Sequence, residues 1–291
     1  MKFFDLHCDT LSIGAFKNLP FDGKATAVDF FDRTPEKYVQ TFAAFIPDET
    51  ENGFADFLCM CEYMEKSGIK PAVCPDDLNG KRAAIFAVEN GKGLNGDINN
   101  LDFMYKKGVR MLTLTWNGKN LLGSGCAKSG GLTDFGREVI CRMNTLKMAT
   151  DLSHINREGF SVAAELAFYP VASHSCFNGK TEHRRNLTDE QAKLIAQKDG
   201  IIGVSVYPDF MGEGHPFERF AEQVKYGIDL GLKENLAIGT DFDGGVMHPE
   251  LARTEHIWKL YTYLEKELGA ETCEALFYNN AAKFFNRLLT N

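Results

Sequence analysis

The sequence has too few basic residues for a protein that binds nucleic acid. Its 32 lysines and arginines are outnumbered by 40 aspartates and glutamates, which gives a net charge of −8 at pH 7. Proteins that bind DNA or RNA need a basic surface to neutralise phosphates, so we expect no nucleic-acid partner. The chain also has no run of 18 or more apolar residues. We therefore expect no membrane-spanning helix and no membrane partner.

Three sequence motifs are missing as well. No G-x-G-x-x-G follows the first apolar run, which argues against a dinucleotide-binding domain. The eight cysteines include no C-x-x-C pair, so a structural zinc site built from cysteines is not indicated. The first residues lack the basic and long apolar segments of a secretion signal. We expect reduced thiols and a cytoplasmic location.

The sequence does contain a regular alternation of strand-like and helix-like patterns. Eight apolar, strand-like runs cover residues 3–6, 41–46, 83–88, 109–115, 148–152, 171–173, 201–206 and 236–239. Helical patterns cover residues 55–66, 100–107, 134–146, 156–168, 188–198, 216–231, 248–268 and 270–289. This alternation predicts an α/β fold with a parallel sheet. For 291 residues we predict a (β/α)8 TIM barrel, a single domain over residues 1–291, with extra loops or a short hairpin in residues 12–38.

Side chains that can bind metal ions recur at the ends of these strand-like runs. Six of them come at or just after a run: His7, Asp9, Glu89, His154, His174 and Asp241. His7 and Asp9 are two residues apart, and side chains with that spacing share one face of a strand. In a barrel, functional groups gather at the carboxyl ends of the strands. The chain has only seven histidines, so three of them at strand ends favour a metal centre.

Six ligands are more than a single catalytic zinc ion requires, which predicts two ions. Glu89 lies between the His7/Asp9 pair and the later histidines in strand order, so we predict that it bridges the ions. Two ions would acidify a bridging water to hydroxide near neutral pH. Asp241 would border that water as a ligand, a proton acceptor or both. Considered one at a time, each histidine could be an ordinary core residue. Glu89 could cap the helix that follows it, and Asp241 could cap the next segment through an Asx turn.

Seven segments, in the same order along the chain, resemble the membrane (renal-type) dipeptidase family, zinc enzymes of the metal-dependent hydrolase barrel superfamily. They are Asp5-Leu6-His7-Cys8-Asp9-Thr10, Val88-Glu89-Asn90-Gly91, Leu112-Thr113-Leu114-Thr115, Asp151-Leu152-Ser153-His154, Ser173-His174-Ser175, Arg184-Arg185-Asn186 and Asp241-Phe242-Asp243-Gly244. The resemblance implies two zinc ions (Zn2+) per chain. It assigns His7 and Asp9 to one ion, His154 and His174 to the other, with Glu89 bridging them and Asp241 beside the bridging water.

The resemblance also implies a substrate site. Arg185 would hold the carboxylate of the C-terminal residue, because a guanidinium group binds a carboxylate through two parallel hydrogen bonds. Tyr207, at the end of the seventh strand-like run, would face the substrate. Better-known family members have a histidine after Leu-Thr-Leu-Thr, where this chain has Trp116 followed by Asn117. The indole and the amide can each donate a hydrogen bond to substrate. Asn90-Gly91-Lys92 also replaces the family's Gly-Gly-His.

These observations predict a dinuclear zinc dipeptidase in which Asp241 and Glu89 are catalytic. The substrate would be a small dipeptide, and the resemblance implies tolerance of a D-residue at its C-terminal position and a homodimeric assembly. One alternative is a hydrolase of another amide-like bond, in an N-acyl amino acid, a cyclic amide or a lactam. A second alternative is a non-catalytic barrel that keeps the metals for structure or binding.

Overall fold

The computed structural model describes residues 1–31 and 35–290. Within this part of the chain, eight parallel strands each pair with the next, and the eighth pairs with the first to close a barrel. The strands are β1 (Lys2–Cys8), β2 (Lys37–Phe45), β3 (Arg82–Glu89), β4 (Val109–Thr113), β5 (Ala149–Asp151), β6 (Pro170–Ser175), β7 (Ile201–Val204) and β8 (Leu236–Ile238). All eight predicted strand-like runs lie on these strands, so the predicted (β/α)8 TIM barrel is confirmed.

The helices surround the barrel. Those in the described residues are α1 (Thr10–Lys17), α2 (Gly53–Lys66), α3 (Ile98–Lys106), α4 (Asp134–Leu146), α5 (Arg157–Leu166), α6 (Asp189–Ala196), α7 (Pro208–Met211), α8 (Pro216–Asp229), α9 (Thr254–Leu268), α10 (Ala270–Glu274) and α11 (Asn280–Leu289). A π-helical turn, Ala275–Asn279, joins α10 to α11. Each of the eight predicted helical patterns overlaps a helix. None of these helices is both long and apolar enough to cross a membrane.

Local capping motifs fix the starts of two helices. The Asn156 side chain accepts a hydrogen bond from the backbone N–H of Gly159 at 2.9 Å and so caps α5. Thr188 and Gln191 form a reciprocal capping box at the start of α6. Each cap satisfies backbone N–H groups that the first helical turn leaves unpaired, which is why such short motifs predict helix starts well.

The connection after β1, predicted to hold loops or a short hairpin in residues 12–38, also contains a helix; residues 32–34 of that segment lie outside the described residues. It begins with a helix, α1, and continues to an antiparallel bridge between Asp22 and Asp29. The sequence of α1 does not show the usual amphipathic pattern, because its buried residues are not confined to one face. They are Thr10, Leu11, Ser12 and Gly14. A helix covered on several sides cannot be recognised from alternating polarity. The short helix α7 is missed for the related reason that four residues are too few to show a period.

Apolar side chains close the amino-terminal end of the barrel. Phe4 and Leu6 of β1 belong to a buried cluster that also contains Phe285 of α11. The Phe4 and Phe285 rings stack with centroids 5.1 Å apart. Because α11 closes this end with apolar side chains, the polar side chains of a functional site can gather only at the carboxyl ends of the strands.

Candidate metal centre

The six predicted ligands converge at the carboxyl end of the barrel. Three lie on strands and three in the loops that follow them, and all six are buried: His7 of β1, Glu89 of β3, His174 of β6, Asp9, His154 and Asp241. They form three overlapping groups in which the potential ligand atoms all lie within 4.8 Å of one another: His7/Asp9/Glu89, Glu89/His154/His174 and His7/His174/Asp241. The first two groups share Glu89, the residue that sequence reasoning placed between two ions.

The Glu89 carboxylate presents its two oxygens to two different sets of histidines. Oε2 lies 3.3 Å from Nε2 of His7. Oε1 lies 2.9 Å from Nε2 of His154 and 3.7 Å from Nε2 of His174. Nε2 of His7 is also 3.8 Å from Oδ2 of Asp9. This is the arrangement expected of a carboxylate shared between two cations.

The donor atoms of this cluster are incompletely satisfied by the protein. Nε2 of His7 and Oδ1 of Asp9 are buried, and neither has a hydrogen-bond partner among the residues that the structure describes. The Nε2 atoms of His154 and His174 lie only 2.9 Å apart. A buried polar atom without a partner costs free energy, and converging imidazole nitrogens with carboxylate oxygens are a common zinc donor set. The residues present therefore fit a pair of metal ions.

Electrostatics leads to the same conclusion. Burial, reinforced by the charge of Glu89, raises the pKa of Asp9 to about 7. Burial likewise raises the pKa of Asp241 well above its usual range. Burial lowers the pKa of His154 and of His174 well below the ordinary value. Burial thus disfavours a charge on His154 and His174 beside crowded carboxyl groups, and divalent cations would offset the repulsion between those carboxylates.

Burial opposes a charge on His7 too, but the neighbouring carboxylates of Glu89 and Asp9 raise the pKa of its imidazole. A metal ion held by Nε2 of His7 would supply positive charge beside these carboxylates, because a histidine binds a metal through a nitrogen that carries no proton.

Two of the ligand loops have an unusual backbone. His154 has φ of 69° and Asp241 has φ of 64°, both in the left-handed region. Non-glycine residues pay about 1 kcal/mol or more for this conformation, and such strain is concentrated at functional sites. The backbone N–H of Asp241 donates to the carbonyl of His7 at 3.1 Å, which holds the loop against β1. A Cβ at Gly244 would lie 2.4 Å from Oδ1 of Asp241, so this position requires glycine.

Sequence reasoning assigned no role to Asp5, which the structure places directly behind the site. Its buried carboxylate accepts hydrogen bonds from Thr240 N at 2.8 Å, Thr240 Oγ1 at 2.6 Å and Gln40 Nε2 at 2.9 Å. These bonds tie β1 to β2 and to the loop that carries Asp241. Burial raises the pKa of Asp5 to about 6. Its position two residues before His7, on the same strand face, is a signal that could have identified it.

An open cavity of about 470 Å³ leads to the cluster. All four predicted substrate residues line it: Trp116, Asn117, Arg185 and Tyr207. His183 and its neighbour Arg184, which were given no role in the predicted site, also line the cavity. A volume in this range suits a small ligand.

Arg185 is buried at the base of this cavity. Its Nη2 donates to the carbonyl of His174 at 3.1 Å, and its guanidinium lies 5.0 Å from the centre of the Phe210 ring. Its Nε has no hydrogen-bond partner within residues 1–31 and 35–290. A buried guanidinium with donors to spare, facing a cavity, is suited to bind an anionic group.

Trp116 packs in the cavity wall, whereas Asn117 contacts a candidate metal ligand. The Trp116 ring packs edge-on against Phe45 at a centroid distance of 5.0 Å and forms part of the cavity wall. The Asn117 Oδ1 atom lies 3.1 Å from Nδ1 of His154 and 3.2 Å from Sγ of Cys126. The oxygen of Asn117 therefore faces a candidate metal ligand.

Sequence comparison shows the family of this chain. A model of the membrane dipeptidase family, peptidase family M19, matches residues 36–289. The uncharacterized protein in the pqqA 5′ region of Klebsiella pneumoniae is 33% identical over 184 residues, which are 58% of this chain and 68% of that protein. An uncharacterized dipeptidase of Schizosaccharomyces pombe is 31% identical over 202 residues, 64% of this chain. The chain spans about half the length of that yeast protein, 48%.

Solved structures show the same fold over the whole chain. The dipeptidase AC, a metallopeptidase of family M19, superposes with a TM-score of 0.91 at 22% identity and covers 100% of this chain and 99% of its own. A metallopeptidase from Rhodobacter sphaeroides, bound to a phosphinate mimic of the dipeptide L-Ala-D-Ala, gives a TM-score of 0.89 at 21% identity, with 99% of both chains covered. Together with the match to the family model, which covers most of the sequence, this shows that the chain belongs to the membrane dipeptidase family of metal-dependent peptide-bond hydrolases, peptidase family M19.

Proposed function

We propose that the protein is a dinuclear zinc dipeptidase. The observation that supports this most strongly is the position of Glu89, whose two carboxylate oxygens face His7 on one side and His154 on the other at 3.3 and 2.9 Å. In the proposed centre His7 and Asp9 would hold one ion, His154 and His174 would hold the second, and Glu89 would be shared between them. When bound, two zinc ions supply Lewis acidity, which lowers the pKa of water and polarises a substrate carbonyl.

Asp241 is the proposed proton carrier. It is buried, it lies beside His7 and His174, and it borders the cavity. The attacking water adds to the carbonyl carbon of the peptide bond and gives its proton to the Asp241 carboxylate. The same proton then passes to the amide nitrogen as the carbon–nitrogen bond breaks, which releases an amine and a carboxylic acid that loses its remaining proton to the amine or to solvent. A carboxyl whose pKa is raised by burial is suited to both halves of this transfer.

The dipeptide's C-terminal carboxylate is the proposed partner of Arg185. The cavity that Arg185 lines is open, and its lining also includes Trp116 and Tyr207. The proposal extends to substrates with a C-terminal D-residue, because the similar Rhodobacter sphaeroides enzyme holds a mimic of L-Ala-D-Ala. Recognition of a terminal carboxylate at a fixed distance from the metals would also restrict cleavage to dipeptides.

The direct test is hydrolysis of L,L- and L,D-dipeptides, tripeptides and N-acyl amino acids by protein of known metal content. We expect cleavage of dipeptides only, loss of activity after removal of metal with a chelator, and recovery when two equivalents of zinc are restored. Preferential cleavage of N-acyl amino acids would instead identify a hydrolase of another amide bond. A chain that carries two metal ions and cleaves none of these substrates would contradict the proposal.

Replacement of Arg185 with methionine should weaken substrate binding. A hydrogen bond between charged groups contributes about 1.5–3 kcal/mol, which corresponds to an increase in KM of about 10- to 100-fold. We expect kcat to change less, since the carboxylate lies away from the reacting bond. Steady-state kinetics on a dipeptide and on its C-terminal amide would measure this. The amide lacks the carboxylate, so the variant and the original protein should cleave it with similar KM. An equal loss on both substrates would show that Arg185 does not bind this group.

A further inference from the structure

The hydroxyl group of Ser173 lies between two of the proposed metal ligands. Its Oγ is 3.2 Å from Nδ1 of His7 and 2.8 Å from Nδ1 of His174. On its other side the same oxygen lies 2.6 Å from Oδ2 of Asp151. All four of these residues are buried, with exposed fractions of 1% or less. One hydroxyl therefore touches a histidine from each of the two proposed zinc sites.

The direction of these hydrogen bonds follows from the groups involved. An ionised Asp151 only accepts, so the Ser173 proton is donated to it. A hydroxyl has one proton and two lone pairs, and both lone pairs are then available to the two imidazoles. Each imidazole must therefore donate from Nδ1. This fixes the proton of His7 and of His174 on Nδ1 and leaves Nε2 free to bind metal on the side of Glu89.

Asp151 is itself held rigidly. Its Oδ1 accepts from the backbone N–H groups of Ser153 at 3.0 Å and Ser173 at 2.9 Å. Its Oδ2 accepts from Oγ1 of Thr113 at 2.6 Å as well as from Ser173. Four donors from β4, β6 and the β5 loop thus fix the carboxylate, which leaves Ser173 a single orientation. A second, separate contact serves His154, whose Nδ1 lies 3.1 Å from Oδ1 of Asn117.

We propose that Ser173, oriented by Asp151, is a positioning residue that sets the tautomer of one histidine in each metal site and so couples the two sites. The expected effect on metal affinity rests on the proposed dinuclear centre, whereas the hydrogen-bond pattern does not depend on it. Asn117 performs the same task for His154 alone. The partner of the non-ligating nitrogen commonly affects metal affinity by about 10- to 100-fold. Loss of Ser173 should therefore weaken both sites, and loss of Asn117 only one.

The first experiment observes the protons directly. Nuclear magnetic resonance of the full-length chain with 15N-labelled histidine, metal-free and zinc-loaded, should show slowly exchanging Nδ1 protons on His7, His154 and His174. In Ser173→Ala the signals of His7 and His174 should exchange rapidly or shift to Nε2, while that of His154 remains. Ser175→Ala is the matched control: Ser175 is on the same strand, is fully buried and has no hydrogen-bond partner in the described part of the chain. That control should leave all three signals unchanged.

The second experiment measures zinc affinity by competition with a chelator of known affinity. We expect Ser173→Ala to weaken both zinc sites about 10- to 100-fold, Asn117→Ala to weaken one, and Ser173→Thr, which keeps the hydroxyl, to restore much of the loss. Unchanged affinity in Ser173→Ala, or weakening of one site only, would overturn the inference. If the Nδ1 protons exchanged slowly but the protein bound fewer than two zinc ions, the hydrogen-bond pattern would be supported and the proposed dinuclear centre would be wrong.

Asp151→Asn provides an independent variant, should Ser173→Ala fail to fold. The amide oxygen must face the two backbone N–H groups, so its NH2 turns toward Ser173. Ser173 then accepts from the amide and donates its own proton to one imidazole. That imidazole must carry its proton on Nε2 and can no longer bind metal there. One Nδ1 signal should disappear and one zinc site should be lost; two intact sites would refute the assignment.

Discussion

A Glu89→Gln variant should lose most of its activity and one of the two proposed metal ions. The substitution keeps the shape of the side chain but replaces one oxygen with an NH2 group, which cannot bind a metal. In either orientation of the amide, the NH2 faces one candidate site, because Oε2 approaches His7 and Oε1 approaches His154. Metal ions contribute several kcal/mol to charge stabilisation in the transition state, so we expect kcat/KM to fall by about 10³-fold or more.

Metal analysis alongside kinetics separates the two effects of that substitution. Zinc content should fall from two ions per chain to one, and addition of excess zinc should not restore activity. Glu218→Gln, at an exposed position on α8, is a suitable control that should behave like the original protein. If Glu89→Gln kept two ions and full activity, Glu89 would be neither a bridge nor a ligand, and the proposed centre would be wrong.

The barrel and the positions of the candidate ligands can be predicted from the local pattern of apolar and polar residues in the sequence. In β1, alternation places Asp5 and His7 on one face; Asp9, expected on the same face, lies just after the strand, and the structure still brings it to the cluster with His7. Glu89 closes an uninterrupted buried strand, so its location at the carboxyl end of β3 also follows from the sequence. These predictions succeed because strand period and strand order are short-range properties, and a parallel barrel then carries all strand ends to one place.

What local pattern does not reveal is which side chains support those ligands. Ser173 is adjacent to His174 in sequence, but its contact with His7 spans 166 residues. Asn117 is predicted to offer its amide N–H to substrate, and the sequence gives no sign that its oxygen faces His154, 37 residues away. The left-handed backbone at His154 and Asp241 is equally invisible to periodicity, since it depends on how each loop is held by the neighbouring strand. Such contacts arise only when the barrel closes.

Replacement of Asp241 with asparagine tests whether this residue carries the proton. Asparagine tolerates left-handed backbone almost as well as aspartate, so the loop with φ of 64° should be preserved. An amide is nearly isosteric with the carboxylate but cannot take up the proton of the attacking water. General acid–base catalysis contributes about 10²- to 10⁴-fold, and we expect kcat to fall by that factor while KM stays within a few-fold.

Zinc content decides between the two roles that the sequence leaves open for Asp241. Retention of two ions with a low kcat is the expected result and identifies a proton carrier. Loss of one ion would identify Asp241 mainly as a ligand, in keeping with its closeness to His7 and His174. Asp229→Asn, an exposed change of the same kind at the end of α8, should leave kcat and zinc content unaltered. Full activity in Asp241→Asn would exclude the proton-carrier role, because no amide can replace a carboxylate that must gain and lose a proton in every turnover.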